Sequence, residues 1–190
     1  MKNKPIFVRI GILIICLNTY FVLKFMQNYR ILVDTATQTL TVFCYNTIVD
    51  TFCISTAKNG TGQLENSYCT PLGVHVIAEK IGTNCPINAV FVGRKFTGEV
   101  YDENLGKQHP DRDWILSRIL WLKGTEMGKN LGKTADGKSC DTYGRYVYIH
   151  GTPDSEPMGV PMSHGCIRMR NEDIIKLYEC VAVGTCVEIV

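Results

Sequence analysis

The chain has 190 residues, with 20 basic against 18 acidic side chains, a formal net charge of +2 and 45% apolar content. Length and composition fit one globular domain with a real core and exclude a disordered chain. The even charge balance provides no basic face or stripe, which argues against nucleic acid or another polyanion as partner.

Lys2, Lys4 and Arg9 lead into an apolar run from Ile10 to Leu23, interrupted by Asn18 and Thr19. A basic segment followed by an apolar one of this size is the pattern of a secretory signal. The run is short for a membrane helix, which takes about 20 residues. Counted from Ile6 to Met26, with Arg9 and Lys24 snorkelling at the edges, it is long enough. No small-x-small cleavage site follows, so residues 1–29 are expected to be an uncleaved signal anchor rather than a cleaved signal peptide. The positive charge ahead of the run places the N-terminus in the cytoplasm and the rest outside. A buried helix of a cytosolic protein is the alternative.

Nine cysteines fit export only in part: Cys16 lies in the apolar run, and eight follow it. In an oxidising compartment several would pair. Cys44 and Cys53 flank a strand-turn-strand pattern, and Cys180 and Cys186 lie close together, so either pair is a candidate disulfide. Connectivity does not follow from sequence. No CxxC pair occurs, which removes the usual signature of a thioredoxin-like or zinc-ribbon site.

From Arg30 the pattern is strand-like. RILVDTATQTLTVFCYN reads as two short strands about the turn-prone Asp34-Thr-Ala-Thr, and VDTFCIST as a third. KNGTGQLENSYCTPLG is a loop; GVHVIAEKIG and AVFVGRKF are one strand each. RDWILSRILWLKG has Trp114, Ile115, Arg118, Ile119 and Leu122 at helical spacing, although it is equally rich in strand formers. The glycine-rich loop 124–141 is expected to cover the functional site, and GRYVYIHG is a strand running into it. Asn171 is expected to cap the helix EDIIKLYECV, which Gly184 follows, and TCVEIV is a last strand. The sum is a mainly β fold, an antiparallel or mixed sandwich or barrel with one or two helices, over residues 30–190.

The chemistry concentrates in VYIHGTPDSEPMGVPMSHGCIRM, residues 147–169, which holds two of the four histidines, His150 and His164, and Cys166. A thiol attacks as thiolate, and free cysteine has a pKa of about 8.5, so Cys166 needs a basic partner. His164 is two residues away and points elsewhere on an extended or turning backbone. His150 ends a strand and can return across the loop to face the thiol. Gly165 allows a sharp turn before the nucleophile, so that backbone N–H groups of the Gly165–Cys166 turn can meet a developing oxyanion. Ser163 can brace that turn. Together these are the parts needed for acyl transfer through a thioester.

IHGT, the thirteen positions from His150 to Ser163, and SHGCIRM resemble the catalytic signature of the L,D-transpeptidase family, with its YkuD-type domain, which remodels bacterial peptidoglycan. ILVDTATQTLTVF, the TPLG turn at 70–73, VFVGR at 90–94 and GTCVEIV resemble the family layout as well. The resemblance implies that Cys166 is the nucleophile and His150 its general base, oriented by the backbone carbonyl of Gly151. It makes His164 a substrate-facing residue, and Arg168 either a partner for a stem-peptide carboxylate or a structural ion-pair partner. It implies peptidoglycan tetrapeptide stems as donor and acceptor, loss of D-alanine, and capture of the thioester by an amine of a second stem or of an anchored lipoprotein. With water as acceptor the outcome is an L,D-carboxypeptidase. A carbapenem would acylate the same thiol, and no cofactor or metal is required. The expected location is the periplasmic side of the inner membrane. The many cysteines and the lack of a visible cell-wall-binding module depart from the family pattern.

Two other readings stay open at this level. His150, His164 and Cys166 form a zinc ligand set, without a deaminase layout or a metallopeptidase helix to support it. Alternatively, the chain is an exported, disulfide-stapled binding module in which Cys166 is oxidised. His75 and His109 read as strand packing and loop capping.

Overall fold

A computed structural model describes residues 28–190, and the expected signal anchor falls outside them except for its last two residues. Among the described residues no helix is long and apolar enough to cross a membrane. In chain order the elements are β1 (Tyr29–Asp34), β2 (Thr39–Cys44), β3 (Thr47–Cys53), β4 (Gly73–Ile81), β5 (Ala89–Val92), β6 (Lys95–Val100), α1 (Glu103–Gln108), β7 (Ile115–Gly124), β8 (Tyr148–Gly151), β9 (Ile167–Met169), α2 (Asn171–Cys180) and β10 (Cys186–Ile189).

The turn after β1 forms as its residues dictate. Asp34 Oδ1 accepts from the N–H groups of Ala36 and Thr37 at 2.9 and 3.0 Å, and the chain reverses into β2. From there the strands lie in the order β3-β2-β1-β10-β4-β7. β8 pairs with β7, and β9 with β8. Ser55, just past β3, then exchanges backbone hydrogen bonds with Arg168 of β9 at 3.0 and 2.9 Å. The hydrogen-bonded circuit is thereby closed, which is the barrel-like form of the expected mainly β fold. Two pairings are parallel, β1 with β10 and β8 with β9; the remainder are antiparallel. The β5–β6 hairpin hangs off the start of β7 through Val90–Leu116 and Phe91–Ile115.

Alternation along each strand fills this circuit. Ile31, Val33, Leu40, Val42, Ile149 and Ile167 are buried in one core that also takes Ile174 and Leu177 of α2. Each such side chain contributes about 1.5–3 kcal/mol through burial.

Four local expectations change. Residues 112–124 do not form a helix but contain the long strand β7. Leu120 and Leu122 enter the main core while Ile119 and Trp121 enter a second apolar cluster on the other face. With both faces covered, the strand shows no apolar–polar alternation to read. AVFVGRKF is not one strand but a hairpin, turned at Gly93 and Arg94 between the paired Val92 and Lys95. The short helix α1, capped by Asp102 accepting from Leu105 N–H, was not foreseen; His109 closes its C-terminal end. Arg170, rather than Asn171, is the N-cap of α2. Asn171 is buried, and its amide is used across the fold: Nδ2 donates to Thr152 O at 2.8 Å, and Oδ1 accepts from Ser117 Oγ at 2.6 Å.

Among the described residues no disulfide joins any two of the eight cysteines. Register explains why the first candidate pair fails. Cys44 faces Thr47 and Cys53 faces Thr39, so the two cysteines sit at opposite ends of the β2–β3 hairpin. Five residue steps at about 3.3 Å separate them by roughly 17 Å, far beyond the roughly 7 Å limit for Cα atoms of a disulfide. Cys180 and Cys186 are likewise not joined to each other.

His75 serves packing, as expected. It is buried on β4, with Nδ1 2.9 Å from Gly73 O and Nε2 3.1 Å from Thr142 Oγ1. Burial lowers its pKa to about 4, against the pull of the Gly73 carbonyl. As pH falls from 6.5 to 4 the unfolded chain takes up a proton that the folded one refuses. Stability is therefore lost across that window, by roughly 3 kcal/mol for this one group. Urea unfolding at pH 7 and pH 4 should show a smaller acid loss in His75→Gln than in the wild type.

Candidate active site

β8 and β9 lie side by side and parallel, with Ile149 opposite Ile167 and His150 opposite Arg168. Because Ile149, Ile167 and Met169 point into the main core, the period of two sends Tyr148, His150, Cys166 and Arg168 to the other face. Two strands from distant parts of the motif thus bring His150 and Cys166 to one surface.

Cys166 sits next to Tyr148, whose backbone N–H points at Sγ from 3.4 Å. The thiol lies 3.6 Å from the carbonyl oxygen of Tyr146, to which it can donate. Tyr146 holds a left-handed backbone, φ +58°, which is unusual for an aromatic residue and costs about 1 kcal/mol or more. Burial pushes the Cys166 thiol up to about 12; the Tyr148 N–H works against this, and the Asp113 charge adds to it.

His150 is buried, with Nδ1 2.8 Å from Gly151 O. The tautomer that donates from Nδ1 to that carbonyl leaves Nε2 as the basic atom. Burial lowers the pKa of His150 below the ordinary histidine value, while Asp113 and the Gly151 carbonyl pull the other way. Burial thus favours the neutral form of both the thiol and the imidazole. Gly151 has no room for a side chain: a Cβ there would collide with Asn171 Oδ1 and lie 2.8 Å from Leu116 O. Asn171 thus holds the backbone immediately behind His150.

The turn before the thiol is pinned from several sides. Ser163 Oγ donates to Cys166 O at 2.5 Å and accepts from Gly165 N–H at 3.3 Å. Thr70, from the TPLG turn, donates to Gly165 O at 3.1 Å. Backbone bonds tie Ser163 to Thr56 and Lys58. Gly165 itself has φ +127°, and an added Cβ would lie 3.4 Å from Cys69 O. Gly165→Ala should cost about 1–3 kcal/mol of stability through backbone strain, and the shifted thiol should slow turnover at least tenfold. Thermal melting and tetrapeptide turnover on one preparation check both.

Cys166 opens onto a cleft of about 240 Å³ lined by Tyr68, Arg145, Tyr146, His164 and Gly165. A second cleft, of about 210 Å³, lies beyond His164 and is lined by Asp113, Trp114, Thr152, Glu156 and Arg168. His164 is exposed between the two, its Nδ1 3.6 Å from Asp113 Oδ2. Loop 124–141 does not line either cleft. It folds back on β4, where Asn130 Nδ2 donates to Leu72 O and Val74 O. The wall over Cys166 is made by residues 65–68 instead. Arg145 fixes that wall, donating to Gly62 O, Gln63 O and Cys69 O at 3.1, 2.9 and 2.6 Å.

Arg168 is placed differently from the carboxylate-binding role considered for it. Its guanidinium is buried between Asp113, at 2.7 Å, and Glu156, at 3.2 Å, so its charge is already met within the protein. Asp113 is drawn into the site by this pairing. Burial works to raise its pKa, but His150, Arg168 and His164 outweigh burial and hold the carboxyl below its ordinary value. Asp113, Arg145, Tyr146 and Tyr148 were all missed in the sequence, where none carries a motif signal. The zinc reading finds no support in the geometry. His150 Nδ1 is turned to a carbonyl, and no group of three His, Cys, Asp or Glu residues suited to a metal occurs among the described residues.

Among known proteins, the chain is 51% identical over 47 residues to the probable L,D-transpeptidase YbiS of Escherichia coli K12, covering 25% of this chain and 15% of that protein. It is 44% identical over 50 residues to the putative L,D-transpeptidase YqjB of Bacillus subtilis, covering 26% and 27%. The matched stretches thus span well under a third of either relative. The crystal structure of L,D-transpeptidase 3 from Mycobacterium tuberculosis, in complex with a faropenem-derived adduct, is similar with a TM-score of 0.52 and 18% identity. That likeness covers 86% of this chain and 60% of the other, and it speaks for the fold. The model of the L,D-transpeptidase catalytic domain, YkuD, matches residues 28–189, and the chain belongs to that family.

Proposed function

We propose that this protein is an L,D-transpeptidase that acts on peptidoglycan tetrapeptide stems through a thioester on Cys166. One observation carries the reading. A thiol that lines an open cleft shares one face of the β8–β9 pair with a buried imidazole whose Nδ1 is held by its own backbone.

In this reading His150 Nε2 takes the thiol proton as Sγ attacks the carbonyl of the third stem residue. The Tyr148 N–H, aimed at Sγ, and the backbone of the Gly165–Cys166 turn are the donors assigned to the developing oxyanion. The Gly165 N–H is engaged by Ser163 in the free protein, so its part there is to shape the turn. The imidazolium returns its proton to the departing amine, and D-alanine leaves. An amine of a second stem, or of an anchored lipoprotein, then loses a proton to His150 and attacks the thioester. The new amide forms as the thiol is released. Water in place of the amine yields a tripeptide. His164, exposed between the two clefts, is assigned to substrate contact, and Arg168 to positioning Asp113 beside His150. The basic and apolar N-terminal sequence supports an envelope location, with the catalytic domain tethered on the outer side of the inner membrane.

Purified tetrapeptide muropeptides incubated with the full chain test the proposal, with products read by mass. Cross-linked dimers with free D-alanine are the expected result. Tripeptide monomers alone would assign the protein as an L,D-carboxypeptidase. No conversion under any condition would favour the binding-module reading.

A further inference from the structure

Three guanidinium groups lie near the two clefts, and they are not equivalent: Arg145 lines the Cys166 cleft, Arg168 lines the second, and Arg94 packs on Tyr146 at the edge of the first. Arg168 is committed to Asp113 and Glu156, and Arg145 to the carbonyls of the 62–69 wall. Arg94 differs. Its Cζ lies 4.7 Å from the centre of the Trp121 ring and 4.8 Å from that of Tyr146, so aromatic faces hold its flat side. In its plane, Nη1 reaches Tyr148 Oη at 3.3 Å. Among the described residues no carboxylate pairs with it. Most of its five N–H donors therefore remain for an outside acceptor.

The backbone under this group is strained as well. Arg94 occupies the second position of the two-residue turn between β5 and β6 with φ +67°, after Gly93 at φ +53°. Turns of this kind favour Asn-Gly or Gly-Gly, and an arginine with positive φ is disfavoured there. Tyr146, the ring beneath the guanidinium, is the other left-handed residue of the platform. Trp121 braces both from below, stacked on Tyr143 with ring centres 3.9 Å apart and planes 6° from parallel. The same Tyr146 lines the Cys166 cleft with its side chain and approaches the thiol with its carbonyl. The cation is thus one tyrosine side chain away from the nucleophile, on a rigid platform, with its charge unspent.

Building on the function proposed above, we propose that Arg94 is a substrate-binding residue that takes a carboxylate of the donor stem in a forked, charge-assisted pair, with Tyr146 as the adjoining surface. Two carboxylates of a tetrapeptide stem adjoin the bond that breaks, that of the departing D-residue and the side-chain carboxylate of the third residue, and these are the ones assigned to Arg94. The structure assigns Arg94 to an acceptor of this chemistry, and amidated donors tell the two sources apart.

The test uses full-length protein with Arg94→Gln and Arg94→Lys, each verified by near-UV circular dichroism and melting temperature. Donors are the tetrapeptide, its C-terminal amide, its third-residue side-chain amide and the doubly amidated form. With the unmodified donor, Arg94→Gln should raise KM at least tenfold with kcat within threefold of wild type, and Arg94→Lys should raise KM less. The penalty should vanish for the singly amidated donor that lacks the carboxylate Arg94 holds. An unchanged KM, or an equal penalty on all four donors, would overturn the assignment. Calorimetric binding of the tetrapeptide to Cys166→Ala, with and without Arg94→Gln, separates this inference from the catalytic one. Affinity lost with the arginine upholds the role of Arg94 even where turnover is absent, and affinity retained refutes it.

Discussion

Cys166→Ala should abolish tetrapeptide conversion, with a loss of at least roughly 10⁴-fold, while the fold persists. The size follows from the role. A nucleophile that forms the covalent intermediate has no substitute, and its removal leaves only the rate from binding and oxyanion stabilisation. Persistence of the fold follows from position. Cys166 is half-buried at a cleft, and its turn is held by Ser163, Thr70 and the backbone of residues 56–58, none of which needs the sulfur. Steady-state conversion and thermal melting of both proteins measure the two halves. A variant that melts like the wild type and still converts stems would remove the thiol from the mechanism.

His150→Gln should lower turnover by about 10²–10⁴-fold, the usual contribution of a positioned general base. The pH profile carries more information than the magnitude. Burial lowers the pKa of His150 below the ordinary histidine value and raises that of Cys166 to about 12. Burial therefore favours a neutral pair in the free protein, and kcat/KM should rise along an acid limb as the imidazolium loses its proton, at a pH below about 6.5. Above that limb the rate stays level to at least about pH 9, because the thiol has not begun to ionise. In His150→Gln the acid limb disappears. A preformed thiolate–imidazolium pair behaves differently, with a falling limb near or above neutrality as the imidazolium deprotonates. Thiolate absorbance at pH 7 in the wild type, missing in Cys166→Ala, would establish that ion pair and contradict the neutral one.

The legible part of this site is the part in which chemistry restricts residue type. A thiol, an imidazole and a glycine in a turn have few substitutes, so Cys166, His150 and Gly165 stand out from the sequence, and the structure places His150 on β8 and the other two in the turn that leads into its neighbour β9. Arg168 shows where such reading stops. Its partners Asp113 and Glu156 come from segments 55 and 12 residues away, and only the fold reveals that its charge is already taken. Arg94 and Tyr146 were illegible for a different reason, since their positive φ values have no signature in residues that rarely adopt them. The strand β7 was misread because two apolar clusters cover its two faces, and the period of two was lost with the contrast. Closeness in sequence misled twice, at Cys44 and Cys53, which the hairpin register sends to opposite ends, and at Cys180 and Cys186, which are not joined to each other.

The central claim is the Cys166 thioester, and intact-mass spectrometry of the full chain, quenched in acid during turnover of a tetrapeptide stem, tests it most directly. The account predicts a species heavier by the donor less D-alanine, mapped to Cys166 after digestion and removed by added amine acceptor. Product formation with no such adduct, or with the adduct on another residue, would contradict it.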